Sequence, residues 1–177
     1  ETVMKAWKDR RWSWDIEGIS LHNYTVIDWE NKHAATGFGE KEYAEILQAT
    51  LKMDGLIAQH AAIMDRYDPQ KKLALAVDEW GAWYAPAPGT NPGFLVQHRM
   101  LLTPTYHVFR MYVPFQDATY IPLAIDAGTW TQGAISLPRV DAIAAKDAEG
   151  RVLLALTNVD PTRPVTIDVV IDGARIR

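Results

Sequence analysis

Leu73-Ala74-Leu75-Ala76-Val77-Asp78-Glu79-Trp80-Gly81 decides how this chain is read. Five apolar residues without a polar interruption predict a short strand, of the continuous kind that parallel sheets bury. The run ends in two carboxylates and an indole. Upstream, Tyr43, Ile46, Leu47, Thr50, Leu51, Leu56, Ile57, Ile63, Met64 and Tyr67 recur at spacings of three and four from near Glu40, which predicts one long amphipathic helix. Asp68-Pro69 ends it, because proline supplies no amide for the next turn and disfavours helix in the residue before it. Before the helix, Ile19-Ser20-Leu21-His22 reads as another short strand, entered through a turn at Asp15-Ile16-Glu17-Gly18 and left through a polar loop over 23–39. Strand, helix and strand imply a right-handed parallel crossover. His22 and Glu79 then lie at the C-terminal ends of their strands, the edge at which such sheets bind ligands.

Beyond this unit the pattern changes. Ala85 to Gly93 is too rich in Pro and Gly for regular structure and reads as a long loop. Thr103 to Tyr112 reads as a short helix opened by Thr-Pro. Strands are expected at Ala118 to Leu123, Ala134 to Leu137, Val140 to Asp147, Val152 to Asn158 and Val165 to Ile171. Turns at Asp147-Ala148-Glu149-Gly150 and Asp160-Pro161-Thr162-Arg163-Pro164 separate the last three, which suggests a meander within a β-sandwich.

Composition narrows the class of protein. The 177 residues carry 22 acidic and 18 basic groups, a net charge of -4, and no basic run that would follow a phosphate backbone, so no nucleic-acid partner is expected. Cysteine is absent, which excludes disulfides and thiolate metal sites and fits a cytoplasmic location. No apolar stretch approaches the roughly 18 residues that span a bilayer, so no membrane association is expected. The start at Glu1, without methionine, suggests that something upstream was removed. Seven Trp and seven Tyr suit a sugar-binding cleft, although cores and interfaces use them too.

Among single residues, Glu79 stands first. A carboxylate ending a buried strand beside Trp80, Trp83 and Tyr84 can attack a sugar, or it can be a solvated strand end. Glycosidic cleavage needs two carboxyl groups, one ionised and one protonated, and Glu79 supplies one. His22, with Tyr24, reads either as a structural hydrogen-bonding residue or as one that orients a carboxylate or binds a sugar hydroxyl. No second ligand lies at metal spacing around it, and no metal or other cofactor is expected. Trp83, further out on the loop, suits stacking on a sugar face, while the tryptophans at 7, 12, 14 and 29 are individually uninformative.

Five ordered motifs together carry a family likeness: Gly18-Ile19-Ser20-Leu21-His22-Asn23-Tyr24-Thr25, Ile63-Met64-Asp65-Arg66-Tyr67-Asp68-Pro69, Val77-Asp78-Glu79-Trp80-Gly81-Ala82-Trp83-Tyr84, Gly89-Thr90-Asn91-Pro92-Gly93-Phe94-Leu95 and Leu102-Thr103-Pro104-Thr105-Tyr106-His107-Val108-Phe109. On these the chain resembles the α-L-arabinofuranosidases of glycoside hydrolase family 51. The resemblance implies α/β plus all-β architecture: a partial (β/α)8 TIM barrel over 1–112, holding the sixth and seventh strands and the helix between, then part of a jelly-roll β-sandwich over 113–177. It implies a retaining hydrolase that releases α-L-arabinofuranosyl residues from arabinan or arabinoxylan oligosaccharides and assembles as a homo-oligomer, commonly a hexamer. Glu79 would be the nucleophile, with His22 and Tyr24 lining the sugar site and Trp83 bordering the aglycone side. The family's acid/base glutamate follows an asparagine on the fourth strand, and no Asn-Glu pair occurs here. Phe94-Leu95-Val96-Gln97-His98 runs directly into Arg99, where the family carries a further helix and the eighth strand. That junction reads as an internal deletion, and the end near Ile176-Arg177 comes early for the sandwich. The alternative implied by one missing carboxylate is a non-catalytic carbohydrate-binding or interaction fragment.

Overall fold

The computed structural model describes residues 1–10, 16–86 and 104–173. Most of the expected Pro/Gly loop, the Phe94-to-Thr103 junction and the chain end at 174–177 lie outside the described residues. Packing of the backbone divides the chain into two units, Glu1–Pro92 and Gly93–Arg177. The helix expected over Thr103 to Tyr112 falls in the second unit.

The first unit holds helix α1 (Thr2–Lys8), strand β1 (Gly18–Thr25), helices α2 (Glu40–Thr50) and α3 (Lys52–Tyr67), and strand β2 (Ala74–Ala82). β1 and β2 pair in parallel. The single helix expected over Glu40 to Tyr67 is two, interrupted at Leu51. There Thr50 turns its hydroxyl back onto the Leu47 carbonyl at 2.6 Å, and the Leu51 amide bonds the Gln48 carbonyl at 3.3 Å, a tighter turn than α-helix allows. At the start of α2 the Glu42 carboxylate accepts the Gly39 amide at 3.0 Å, which satisfies one of the free donors of the first turn. Helix α1 was not legible in the sequence.

Both strands run further than their apolar cores suggest, so His22 and Glu79 sit inside strands and not at their ends. On β1 the odd positions Ile19, Leu21, Asn23 and Thr25 are buried or half-buried, whereas Ser20, His22 and Tyr24 are exposed. The apolar side carries the core: Met4 of α1, Met64 of α3 and Leu73, with Trp7, Ile19, Ile63, Tyr67 and Leu75 packed around them. Helices thus cover one face of the ladder among the described residues. Gly18 allows the close start of the pairing, since a Cβ there would stand 3.0 Å from the Ala74 carbonyl oxygen.

The second unit begins with helix α4 (Pro104–Tyr112) and a 3₁₀ turn at Val113–Phe115. Strands β3 (Thr119–Ile121), β4 (Thr129–Gln132), β5 (Ile135–Pro138), β6 (Val140–Lys146) and β7 (Val152–Asn158) follow. They form an antiparallel sheet in the order β3-β6-β7 and a separate hairpin, β4-β5. The hairpin turns through Gly133 at φ +59° and Ala134, a two-residue loop with glycine first. Thr129-Trp130-Thr131-Gln132 before that glycine is the signal for β4 that sequence reasoning missed. The β6–β7 turn closes as expected: the Asp147 carboxylate accepts the Arg151 amide at 2.8 Å and its Nε at 2.6 Å, with Gly150 at φ +81°. The strand expected over Val165 to Ile171 does not form. An extended run becomes a strand only through a ladder partner, and none pairs with it among the described residues. Its Val169 and Val170 are exposed.

Asp68 links helix to strand. It follows α3 with only 4% of its surface exposed, and its Oδ2 accepts the Leu73 amide at 2.8 Å just before β2 begins. Asp68→Ala would strand that buried amide, so we expect a loss of about 1–3 kcal/mol, read as a lower midpoint in denaturant unfolding. An unchanged midpoint would contradict this account.

Candidate active site

The exposed face of the parallel pair gathers the polar residues. Register runs Gly18 with Ala74, Ile19 with Leu75 and Ser20 with Ala76, then resumes one residue later with His22 opposite Glu79 and Tyr24 opposite Gly81. Val77 and Asp78 therefore stand together opposite Leu21, a β-bulge in β2. In a regular strand, consecutive side chains point to opposite faces. The bulge lifts that restriction, and both Asp78 and Glu79 reach the Ser20, His22 and Tyr24 side of β1. Gly81 follows at φ +126°, a conformation that costs other residues strain.

The contacts are short. Tyr24 donates its hydroxyl to Glu79 Oε2 at 2.8 Å. His22 lies between the two carboxylates, with Nδ1 3.5 Å from Glu79 Oε2 and Nε2 3.2 Å from Asp78 Oδ1. Ser20 donates its hydroxyl to Asp78 Oδ1 at 2.5 Å, and its oxygen lies 2.8 Å from His22 Nε2. Because the serine proton is spent on Asp78, its oxygen is left to accept, which favours a proton on Nε2 of His22. Tyr24 takes Oε2 of Glu79, so Oε1 is the oxygen left for a reacting partner. The hydrogen bond to Glu79 also raises the Tyr24 phenol pKa above its ordinary value, because losing the proton would set two anions side by side.

Trp83 stands at the rim. Its amide bonds the Thr25 carbonyl at 3.0 Å, and its ring meets Tyr24 edge-on at 5.2 Å and Trp29 at 5.8 Å. Lys32 lies over both indoles, 5.4 Å from each centroid. All four residues singled out in the sequence, Glu79, His22, Tyr24 and Trp83, are thus brought together. Ser20, Trp29 and Lys32 were missed. The alternation that puts Ser20 on the face of His22 and Tyr24 could have found the first, but no sequence signal marks the other two. Among the described residues no group of three or more His, Cys, Asp or Glu could hold a metal ion, and no helix is long and apolar enough to cross a membrane.

The Ser20 hydroxyl is the leading cause that holds the Asp78 carboxyl below its ordinary value of 3.8, aided by His22. A carboxyl depressed in the folded state adds stability above pH 3.8, and that contribution is lost as pH falls through the lowered value. Ser20→Ala should move the Asp78 titration, followed by the carboxyl carbon in NMR, upward towards 3.8 and make the acid loss of stability shallower. A midpoint that stays put would show that the hydroxyl does not hold the charge.

No protein-family model matches the chain. In sequence it is similar to an intracellular exo-α-L-arabinofuranosidase of Bacteroides ovatus, 32% identical over 191 aligned positions that take in 82% of this chain and 37% of that protein. Since 82% of 177 residues is about 145, roughly 46 of those positions have no residue of this chain opposite them. In structure it is similar to the GH51 arabinofuranosidase from Xanthomonas axonopodis pv. citri, with a TM-score of 0.76 and 39% identity over 84% of this chain and 39% of that one. The chain spans under two fifths of the length of either relative. By sequence and by structure alike, it belongs to the glycoside hydrolase family 51 arabinofuranosidases and corresponds to a part of their length.

Proposed function

We propose that these residues carry the nucleophile half of a retaining arabinofuranosidase site, with Glu79 as the nucleophile. The observation that carries this reading is the hold on a single oxygen of Glu79: Tyr24 donates its hydroxyl to Oε2 at 2.8 Å. Oε1 then attacks the anomeric carbon of an arabinofuranosyl unit while the glycosidic oxygen leaves with a proton. A covalent glycosyl-enzyme forms, and water releases arabinose from it with retained configuration. Tyr24 keeps the carboxylate oriented throughout. The proton donor of such a pair stands about 5–5.5 Å from the nucleophile. No Asn-Glu pair occurs in the chain, so this acid comes from outside these residues, either from more of the same protein or from a partner chain.

In this reading β1 and β2 are the sixth and seventh strands of a (β/α)8 barrel, and the β-rich unit is part of a jelly roll. The one-sided helical cover of the ladder supports the barrel assignment, because barrel strands carry helices only outside. Substrates are terminal α-L-arabinofuranosyl groups on arabinan or arabinoxylan oligosaccharides, inside the cell, by an enzyme that forms homo-oligomers. A non-catalytic sugar-binding fragment is the second reading, favoured by the missing acid.

A substrate with a leaving group that needs no acid separates the two. Incubation with 2,4-dinitrophenyl 2-deoxy-2-fluoro-α-L-arabinofuranoside should leave a glycosyl adduct on the peptide containing Glu79, seen by mass spectrometry. Glu79→Ala should lose the adduct, and turnover of a dinitrophenyl arabinofuranoside should fall by roughly three orders of magnitude or more. An adduct elsewhere, or one that survives in the alanine variant, would sink the nucleophile assignment; binding without any adduct would favour the fragment reading.

A further inference from the structure

Lys32 carries a charge that the proposed reaction does not use. Its ammonium lies 5.4 Å from the ring centroids of both Trp29 and Trp83 and donates to the Trp29 carbonyl at 3.2 Å. Trp83 in turn meets Tyr24, which holds Glu79. Releasing a neutral pentose asks for no cation at that place. Nor is the charge neutralised. Asp28, in the same turn, spends Oδ1 on the Glu30 amide at 2.9 Å, and no carboxylate lies within ion-pair distance of Lys32 among the described residues. Cation–π contacts orient an ammonium without neutralising it. A carboxylate brought to it would gain charge-assisted hydrogen bonds at a position already set. The two indoles remain 60% and 48% exposed, which leaves apolar surface for the C–H face of a sugar.

We propose that Trp29, Lys32 and Trp83 form a subsite for a uronate-bearing sugar, in which the indoles take the ring face and the Lys32 ammonium takes the carboxylate. The inference rests on the Glu79 reading for its place beside the scissile bond, but not for the binding itself. An acidic saccharide gains both contacts there. A neutral one gains stacking alone.

The test titrates the full chain in calorimetry with α-1,4-trigalacturonate and with its fully methyl-esterified counterpart, nearly the same shape without the charge. The acid should bind about two- to fivefold tighter at low ionic strength, the yield of an exposed ion pair, and the preference should fade as salt screens it. Lys32→Met, which keeps the apolar stem, should bring the ratio of the two affinities to unity, and Lys32→Arg should keep it above. Equal binding of acid and ester, binding of neither, or a preference that survives Lys32→Met would overturn the subsite. The Glu79 adduct is read separately in the same protein. An adduct without acid preference removes the subsite and leaves the nucleophile standing, whereas acid preference without an adduct does the reverse.

Discussion

The site depends on one extra residue in β2. Two consecutive carboxylates cannot serve one face of a regular strand, because successive side chains alternate. Placing Val77 and Asp78 together opposite Leu21 breaks the alternation once. Glu79 becomes the partner of His22, Asp78 stays within reach of Ser20 and His22, and the histidine bridges the two. Without the bulge Asp78 would take the position opposite His22 and Glu79 would turn to the helix side. Gly81 then carries the backbone onward at a positive φ, with open space where a side chain would be, so the glycine is required by its dihedral and not by crowding.

This arrangement is held by hydrogen bonds more than by fields. His22, Asp78 and Glu79 are each about half exposed, and charges so placed are strongly screened by water. Direction therefore comes from short contacts: Ser20 to Asp78, Tyr24 to Glu79, and the ring of His22 between them. The support beneath is apolar and one-sided. Met4, Met64 and Leu73 pack against the odd face of β1, and the buried Asp68 fastens the end of α3 to the start of β2. Helix side and polar side are thus two faces of one ladder, and the same alternation that builds the core exposes the chemistry.

Family membership gives this geometry its meaning, and the limited span of the match sets the form of the functional reading. The chain holds one carboxylate, Glu79, that Tyr24 orients through one oxygen, and no Asn-Glu pair. The Lys32 ammonium over two indoles adds a charge that a neutral sugar does not need. In the proposed reading they form a half-site whose rim is aromatic and positively charged.

Much of the local structure was legible in the chain by itself. Spacing of apolar residues marked α2 and α3, Asp68-Pro69 marked where the helix stops, and Asp147 to Gly150 marked the β6–β7 turn, because these features depend on neighbours within a few residues. The carboxylate, histidine, tyrosine and tryptophan of the candidate site were legible as residue types, although His22 and Glu79 lie inside their strands and not at the expected ends. What the sequence could not decide was register. The bulge opposite Leu21 and the unpaired run at 165–171 each depend on which segments meet across the fold. A one-residue slip exchanges every side chain between faces, and only tertiary packing chooses among such slips. The same holds for Lys32, an ordinary loop lysine until folding brings Trp83 against Trp29 and its charge lies over both rings.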